Sequence, residues 1–273
     1  MSIRLIAFDL DGTLLTTDKR ITEETYAALE EAAARGIYLV PCTGRLYKMV
    51  PDVVKELSFV KYMITVNGAR IYDHKEKTAI YKAELPADVA ESVFDYVETL
   101  PVIYDCYQDN EAWVDREFYD RAEELMSEAR TVRLVHMRTP IENFRQVIRE
   151  RKRPVEKIQM FFDDDERRKL ELVRIAEKFP MCTIVSSIRN NIEVNARMAT
   201  KGNTLAHLCE YLGIDLSECA AIGDGNNDIS MLTVAGTGIA MDNAWDEVKK
   251  VADWTTDGHN FDGAAKAIRR LLQ

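Results

Sequence analysis

Leu5-Ile6-Ala7-Phe8-Asp9-Leu10-Asp11-Gly12-Thr13 runs four apolar residues straight into two carboxylates and a glycine. A second stretch of the same kind lies far downstream, where Ala220-Ala221-Ile222 precedes Gly223-Asp224-Gly225-Asn226-Asn227-Asp228. Short apolar runs closed by acid and glycine read as buried parallel strands with a site at their carboxyl ends. Ligands of open α/β sheets bind at those ends. Carboxylates gathered there repel: at ~4 Å and an effective dielectric of ~20, each pair costs ~4 kcal/mol. A hard divalent cation with oxygen ligands removes that cost, and Mg²⁺ is the usual choice beside a phosphate. The two stretches together point to metal-assisted phosphoryl transfer.

Outward from the first stretch, strand and helix alternate. Thr22 can cap a helix with Glu23 and Glu24 in its first turn, and Gly36 ends it. Ile37 to Cys42 reads as a strand that breaks at Pro41-Cys42-Thr43-Gly44-Arg45, with a helix from about Leu46 to Leu57. Val60 to Val66 is a strand closed by the turn signal Asn67-Gly68, and two short strands follow around Arg70-Tyr72 and Ala79-Lys82. This is a parallel, doubly wound beginning. After Lys82 the texture changes. Pro86 starts a helix to about Thr99, and Val102–Tyr107 with Ala112–Asp115 alternate like a hairpin around Gln108-Asp109-Asn110. The pattern continues as a helix (117–129), a strand (131–135), a helix (141–150), a strand (155–162), a helix (166–178) and two strands (182–187 and 191–195). Hairpins imply antiparallel pairing, so this is an α+β unit inserted in a parallel one.

The parallel pattern resumes at Lys201, with Leu205, Leu208, Cys209 and Leu212 on one helical face and Gly213 as the stop. Strands at Cys219–Ile222, Gly238–Ala240 and Ala252–Trp254, with helices near 244–250 and 262–272, complete the sheet. The expected fold is α/β, a Rossmann-like doubly wound parallel sheet core from residues 1–82 and 197–273 with an inserted α+β cap domain at 83–196.

Bulk composition suits such an enzyme and excludes other classes. The 273 residues, 47% hydrophobic and 30% charged, are those of an ordinary globular protein of one large or two modest domains. No uncharged apolar stretch approaches the ~20 residues of a membrane span, and Met1-Ser2-Ile3-Arg4 leaves no room for a signal peptide before the first strand. The net charge of -10 argues against a nucleic-acid partner. Cys42, Cys106, Cys182, Cys209 and Cys219 are odd in number and scattered, without a zinc or disulfide pattern, so a reducing cytoplasm is expected. The four histidines show no metal-ligand spacing.

Asp9, directly after its strand, is placed for attack on phosphorus. Asp11, two residues on, is placed to protonate the leaving oxygen and then activate water. Taken alone, the stretch also suits a plain strand-to-turn. The Gly223–Asp228 segment fails as a dinucleotide fingerprint because Asp228 holds the third glycine position. It fails as a calcium loop because Ile229 and Ala235 occupy the glycine and glutamate positions. Thr43-Gly44 lies at a strand end and a helix start, where a hydroxyl and backbone N–H groups can hold phosphate oxygens. Cys42 with Arg45 does not make a cysteine phosphatase, since the arginine is too close and Lys48 holds its place.

Asp9-Leu10-Asp11-Gly12-Thr13-Leu14, Thr43-Gly44-Arg45, Lys201-Gly202 and Gly223-Asp224-Gly225-Asn226-Asn227-Asp228 occur in the order and spacing of the haloacid dehalogenase-like phosphatases. The chain most resembles their Cof-type branch, with its large cap, also at Asn67-Gly68-Ala69, Gly238–Ala244 and Asp257–Gly263. The likeness covers essentially the whole chain. It implies Asp9 as the nucleophile that becomes an aspartyl-phosphate, Asp11 as general acid/base, and Thr43 and Lys201 as holders of the phosphoryl group. It also implies Mg²⁺ on Asp9, the Asp11 backbone carbonyl and Asp224, with Asp228 steadying the metal's waters or Lys201, and Asn227 beside the phosphate. Substrate contacts are thus expected from Thr43, Gly44, Arg45, Lys201 and Asn227. One stretch departs: Ala196-Arg197-Met198-Ala199-Thr200 stands where the family usually has a proline and a glycine before the lysine, which puts the shape of the leaving-group pocket in doubt.

The expected activity is hydrolysis of small phosphorylated metabolites, sugar phosphates first and phosphorylated cofactors or nucleotides second. The alternatives are a phosphosugar mutase or phosphotransferase, or a catalytically silent phosphometabolite-binding regulator.

Overall fold

In a computed structural model, residues 2–273 are described, and the chain divides into two compact units. One comprises the residues up to Lys82 together with Met198–Gln273, and the other is Ala83–Arg197, so Arg197 falls with the inserted unit. Strands β1 (Leu5–Phe8), β2 (Tyr38–Pro41), β3 (Tyr62–Thr65), β4 (Arg70–Asp73) and β5 (Thr78–Lys82) precede the insertion. Within it lie β6 (Ile103–Gln108), β7 (Glu111–Asp115), β8 (Thr139–Ile141), β9 (Lys157–Phe161), β10 (Cys182–Val185) and β11 (Asn191–Ala196). After it come β12 (Cys219–Gly223), β13 (Thr237–Ala240) and β14 (Trp254–Thr255).

In the first unit the order is β14-β13-β12-β1-β2, all parallel, with Leu5 opposite both Cys219 and Tyr38. A parallel bridge between Cys42 and Ile64 sets β3 beside β2, and β4 and β5 extend β3 antiparallel. Every residue of β1 is fully buried, as a central parallel strand requires. The helix Glu23–Ala34 begins where Thr22 accepts from the Thr25 N–H, and it packs against the helix Gly263–Leu271. The helix Lys201–Leu212, ended by Gly213 at φ 63°, packs against Ile229–Val234. Because the chain leaves β1 toward β2 on one side and β12 lies on the other, the order reverses at β1. A ligand crevice opens at the carboxyl end of such a switch point.

The second unit is a six-stranded sheet, β10-β11-β9-β6-β7-β8, antiparallel except between β7 and β8. One face carries Cys106, Ile158, Met160, Ile192 and Val194 against Val93, Phe94, Phe144, Ile148 and Ile175. The other carries Ile103, Val114 and Phe161 against Ala122, Met126 and Val135. Among the described residues, no helix is long and apolar enough to cross a membrane.

Three local expectations are corrected. Residues 131–135, expected as a strand, belong to the helix Ala129–His136, in which the buried Thr131 and Val135 stand one helical turn apart. The single helix expected over 46–57 is a 3₁₀ turn at Tyr47–Met49 and a short helix at Asp52–Lys55. Pro51 separates them, lacking the N–H to continue and forcing Val50 into extended backbone (φ -65°, ψ 131°). The helix expected over 117–129 is divided into Arg116–Asp120 and Ala122–Leu125, with Arg121 outside helical geometry.

Candidate active site

Asp9 leaves β1 with its N–H donating to the Ile222 carbonyl of β12 at 3.0 Å, which ties the first acid to the strand that carries the second acidic segment. The Lys201 ammonium, wholly buried at the start of its helix, donates to Asp9 Oδ1 and to Asp228 Oδ1, each at 2.6 Å. The other Asp228 oxygen accepts from the N–H groups of Asp224 and Gly225 at 2.9 and 2.8 Å. Asp228 therefore fixes both the lysine and the loop that presents Asp224. Burial would lower the Lys201 pKa, but Asp228 and Asp9 outweigh it and hold the ammonium charged. Burial pushes Asp9 up to about 7, opposed by Lys201 and reinforced by Asp228 and Asp11.

Asp11 is held differently. The Arg45 guanidinium grips it through Nε to Oδ2 at 2.6 Å and Nη2 to Oδ1 at 2.8 Å, and Lys19 Nζ donates to Oδ1 at 2.5 Å. Burial acts to raise the Asp11 pKa, yet the two cations more than offset it and hold the carboxyl well below the usual range. Arg45, expected among the substrate contacts, thus has its guanidinium on the second aspartate.

Thr43 follows β2, and its backbone N–H donates to the Ile64 carbonyl at 2.9 Å. The Thr43-Gly44-Arg45 turn is laced to the next one by the Val66 N–H on the Arg45 carbonyl and the Asn67 N–H on the Thr43 carbonyl, both at 3.0 Å. Val66, Asn67 and Gly68 all have positive φ, at 52°, 55° and 102°. A β-branched valine there is a strained residue. The turn places the Asn67 side-chain oxygen Oδ1 to accept from Asn227 Nδ2, 3.0 Å away. A Cβ on Gly44 would lie 2.8 Å from that same oxygen, so the glycine is what lets the two turns close. Thr43, Gly44, Asn67 and Asn227 are thereby brought together.

Oxygen atoms of Asp9, Asp224 and Asp228 lie within 4.8 Å of one another. Thr13 Oγ1 donates to Asp224 Oδ1 at 2.9 Å, and burial, then Asp9 and Asp228, raises the Asp224 pKa well above the ordinary value. Three carboxylates here share the Lys201 ammonium, leaving an excess of buried negative charge on hard oxygen donors. That donor set fits a divalent cation of the Mg²⁺ type. The Asp11 carboxylate faces Arg45 and Lys19 and is outside this group.

Residues that the sequence reading did not assign also meet the site. Asn67 and Asn243, whose Nδ2 donates to the Gly12 carbonyl at 2.8 Å, lie in segments that resemble the Cof-type branch without an assigned role, and Lys19 belongs to no motif.

Residues 6–268 match the haloacid dehalogenase-like hydrolase family. The chain is 32% identical to the 5-amino-6-(5-phospho-D-ribitylamino)uracil phosphatase of Bacillus subtilis, over 100% of this chain and 97% of that one. A haloacid dehalogenase-like hydrolase from B. subtilis is similar in structure at TM-score 0.85 and 29% identity, covering 99% and 100% of the two chains. A sugar phosphatase of subclass IIB is similar at TM-score 0.82 and 25% identity, over 98% and 99%. With its acids at the ends of β1 and β12 and its buried lysine between them, the chain belongs to the haloacid dehalogenase-like hydrolases and is a phosphomonoester hydrolase.

Proposed function

We propose that this phosphatase is Mg²⁺-dependent and hydrolyses small phosphorylated metabolites, sugar phosphates first, through an aspartyl-phosphate on Asp9. The observation that carries the reading is the buried Lys201 ammonium bonded to both Asp9 and Asp228 at 2.6 Å. A charge this deeply buried is costly, and a site that draws a phosphoryl group to a carboxylate nucleophile accounts for it. The sugar phosphatase and the phosphoribitylamino-uracil phosphatase to which the chain is similar support a phosphorylated polyhydroxyl substrate.

In this reading Asp9 Oδ attacks phosphorus and the ester oxygen departs with a proton from Asp11. Water, deprotonated by Asp11, then cleaves the acyl phosphate and releases inorganic phosphate. Lys201, the Thr43 hydroxyl and the Asn227 amide hold the phosphoryl oxygens and orient them. The cation, held by Asp9, Asp224 and the Asp11 carbonyl, would supply charge neutralisation to the equatorial oxygens. Arg45 and Lys19 keep Asp11 ionised at rest, ready as a base. When the arriving phosphate takes up those two cations, Asp11 is released to accept a proton from solvent, the proton it then gives to the leaving oxygen, and Arg45 thereby contacts substrate. The inserted unit Ala83–Arg197 is the source of selectivity among leaving groups in this reading. The scattered, free cysteines suit a reducing cytoplasm.

The test is phosphate release from a panel of phosphorylated metabolites, with Mg²⁺ and with EDTA. Sugar phosphates should be turned over best, and only with the metal. Tight binding without turnover across the panel would instead mean a silent regulator. Transfer to an added alcohol or sugar at the expense of free phosphate would mean a phosphotransferase.

A further inference from the structure

The segment Met241–Trp245 is stitched to the second acidic strand: the Met241 N–H donates to the Gly223 carbonyl and the Trp245 N–H to the Asp224 carbonyl, at 3.0 and 3.1 Å. Asn243 lies in the middle of this segment. Its Oδ1 accepts from the His259 backbone N–H at 2.9 Å and lies 3.0 Å from His259 Nδ1. The backbone N–H on that oxygen fixes which way the amide points, so Nδ2 is turned to the acids. There it donates to the Gly12 carbonyl at 2.8 Å and approaches Asp224 Oδ2 at 3.5 Å. The far side of His259 is anchored in turn, with Nε2 3.3 Å from Thr17 Oγ1 and Asn260 Nδ2 donating to that hydroxyl at 2.9 Å.

These bonds join three separate parts of the chain around one point. Gly12, at φ 90°, approaches so closely that a Cβ on it would lie 2.4 Å from Asp224 Oδ2. The Asp11–Gly12 turn and Asp224 are consequently held face to face by the Asn243 amide, which bridges them beside the direct Thr13 Oγ1 bond to Asp224 Oδ1.

We propose that Asn243 is a positioning residue for the metal site, aimed by His259, whose amide sets the spacing between the Asp11–Gly12 turn and the Asp224 carboxylate. The proposal rests on the reading of Asp9, Asp224 and the Asp11 carbonyl as cation ligands, and adds residues outside that set. Partners that orient metal ligands commonly change affinity 10–100-fold when removed. Asn243 touches neither the phosphoryl-holding Thr43 nor Lys201, so its effect falls on the metal.

The experiment is direct Mn²⁺ binding, read from loss of the free-ion electron paramagnetic resonance signal, with substrate KM measured separately at saturating metal. Asn243→Ala should weaken Mn²⁺ binding at least ~10-fold while KM stays within about twofold. His259→Ala should cost a smaller factor, about threefold, and nothing further in the Asn243→Ala background, because it acts through that amide. Unchanged Mn²⁺ affinity in Asn243→Ala overturns the proposal, as does a fully additive double variant. If Asn243→Ala does not fold, unchanged affinity in His259→Ala overturns it. If the wild-type protein itself binds no Mn²⁺, the metal-site reading fails and the proposal with it, an outcome distinct from a wild type that binds and a variant that matches it.

Discussion

Replacing Lys201 with methionine keeps an unbranched side chain, one heavy atom shorter, and removes its charge. Each of its two contacts at 2.6 Å is worth ~6 kcal/mol gross at an effective dielectric of ~20. Most of that is offset by the cost of burying an ammonium, and removal of one partner from a buried ion pair leaves a net loss of about 3–5 kcal/mol. The sign of the pH dependence follows from Asp9, which burial pushes up to about 7 in the presence of Lys201. Without the cation that opposes this rise, Asp9 titrates higher still. Its unfolded value is about 3.9, so both folded proteins hold a proton that the unfolded chain has lost. Both therefore lose stability as pH rises above about 4. The wild-type contribution levels off above about 7, whereas that of Lys201→Met keeps falling at up to ~1.4 kcal/mol per pH unit. Equilibrium urea unfolding without metal, at pH 6, 7 and 8, reads the difference. Lys201→Met should be less stable at every pH, with the gap widening between 7 and 8. A gap that is flat or narrows with rising pH refutes the electrostatic account of this site.

Asp9→Asn should abolish turnover and phospho-enzyme formation while leaving the unfolding curve cooperative; substantial residual phosphate release without deamidation, checked by mass spectrometry, contradicts the nucleophile assignment. EDTA should remove activity and Mg²⁺ restore it, with Ca²⁺ a poor substitute because its coordination is looser; full activity after exhaustive chelation means that the acidic group is no metal site. Gly12→Ala places a side chain at φ 90° and against Asp224, and should cost about 1–3 kcal/mol. Urea unfolding checks it, and a variant as stable as wild type shows that the turn relaxes freely.

The parallel core was legible because buried strands announce themselves as short apolar runs, and Asp9 and Asp224 follow two of them directly. Lys201 was legible only through the motifs it accompanies; nothing in its local sequence says that the ammonium is buried. Thr131-Val132-Arg133-Leu134-Val135 read as a strand because its β-branched residues favour one, yet burial at 131 and 135 is helical spacing, and packing against Ile103 and Phe161 overrode propensity. Pro51 did carry a readable signal, a break in the helix expected over 46–57. The Arg45 grip on Asp11 had none, since the two are 34 positions apart and only the fold makes them neighbours. Asn243 and His259 were hidden in the same way: hydrogen bonds between loops leave no period and no spacing in a sequence.

The place of β1 in its sheet has a bearing on how the protein is made. Leu5, Ile6, Ala7 and Phe8 leave the ribosome before the other strands of their sheet, and β2 can pair with them after one helix. Their other edge belongs to β12, which begins at Cys219, 214 residues later in the register. At about 5–20 residues per second, synthesis of that interval takes on the order of 10–40 s. Meanwhile Ala83–Arg197 emerges as a continuous piece with an apolar core of its own. During this interval four residues that end wholly buried have one side uncovered, so the nascent chain carries an open, aggregation-prone strand edge. The acids that follow β1 and β12 come together only when that edge is closed, so the reactive centre cannot form until β12 has been made.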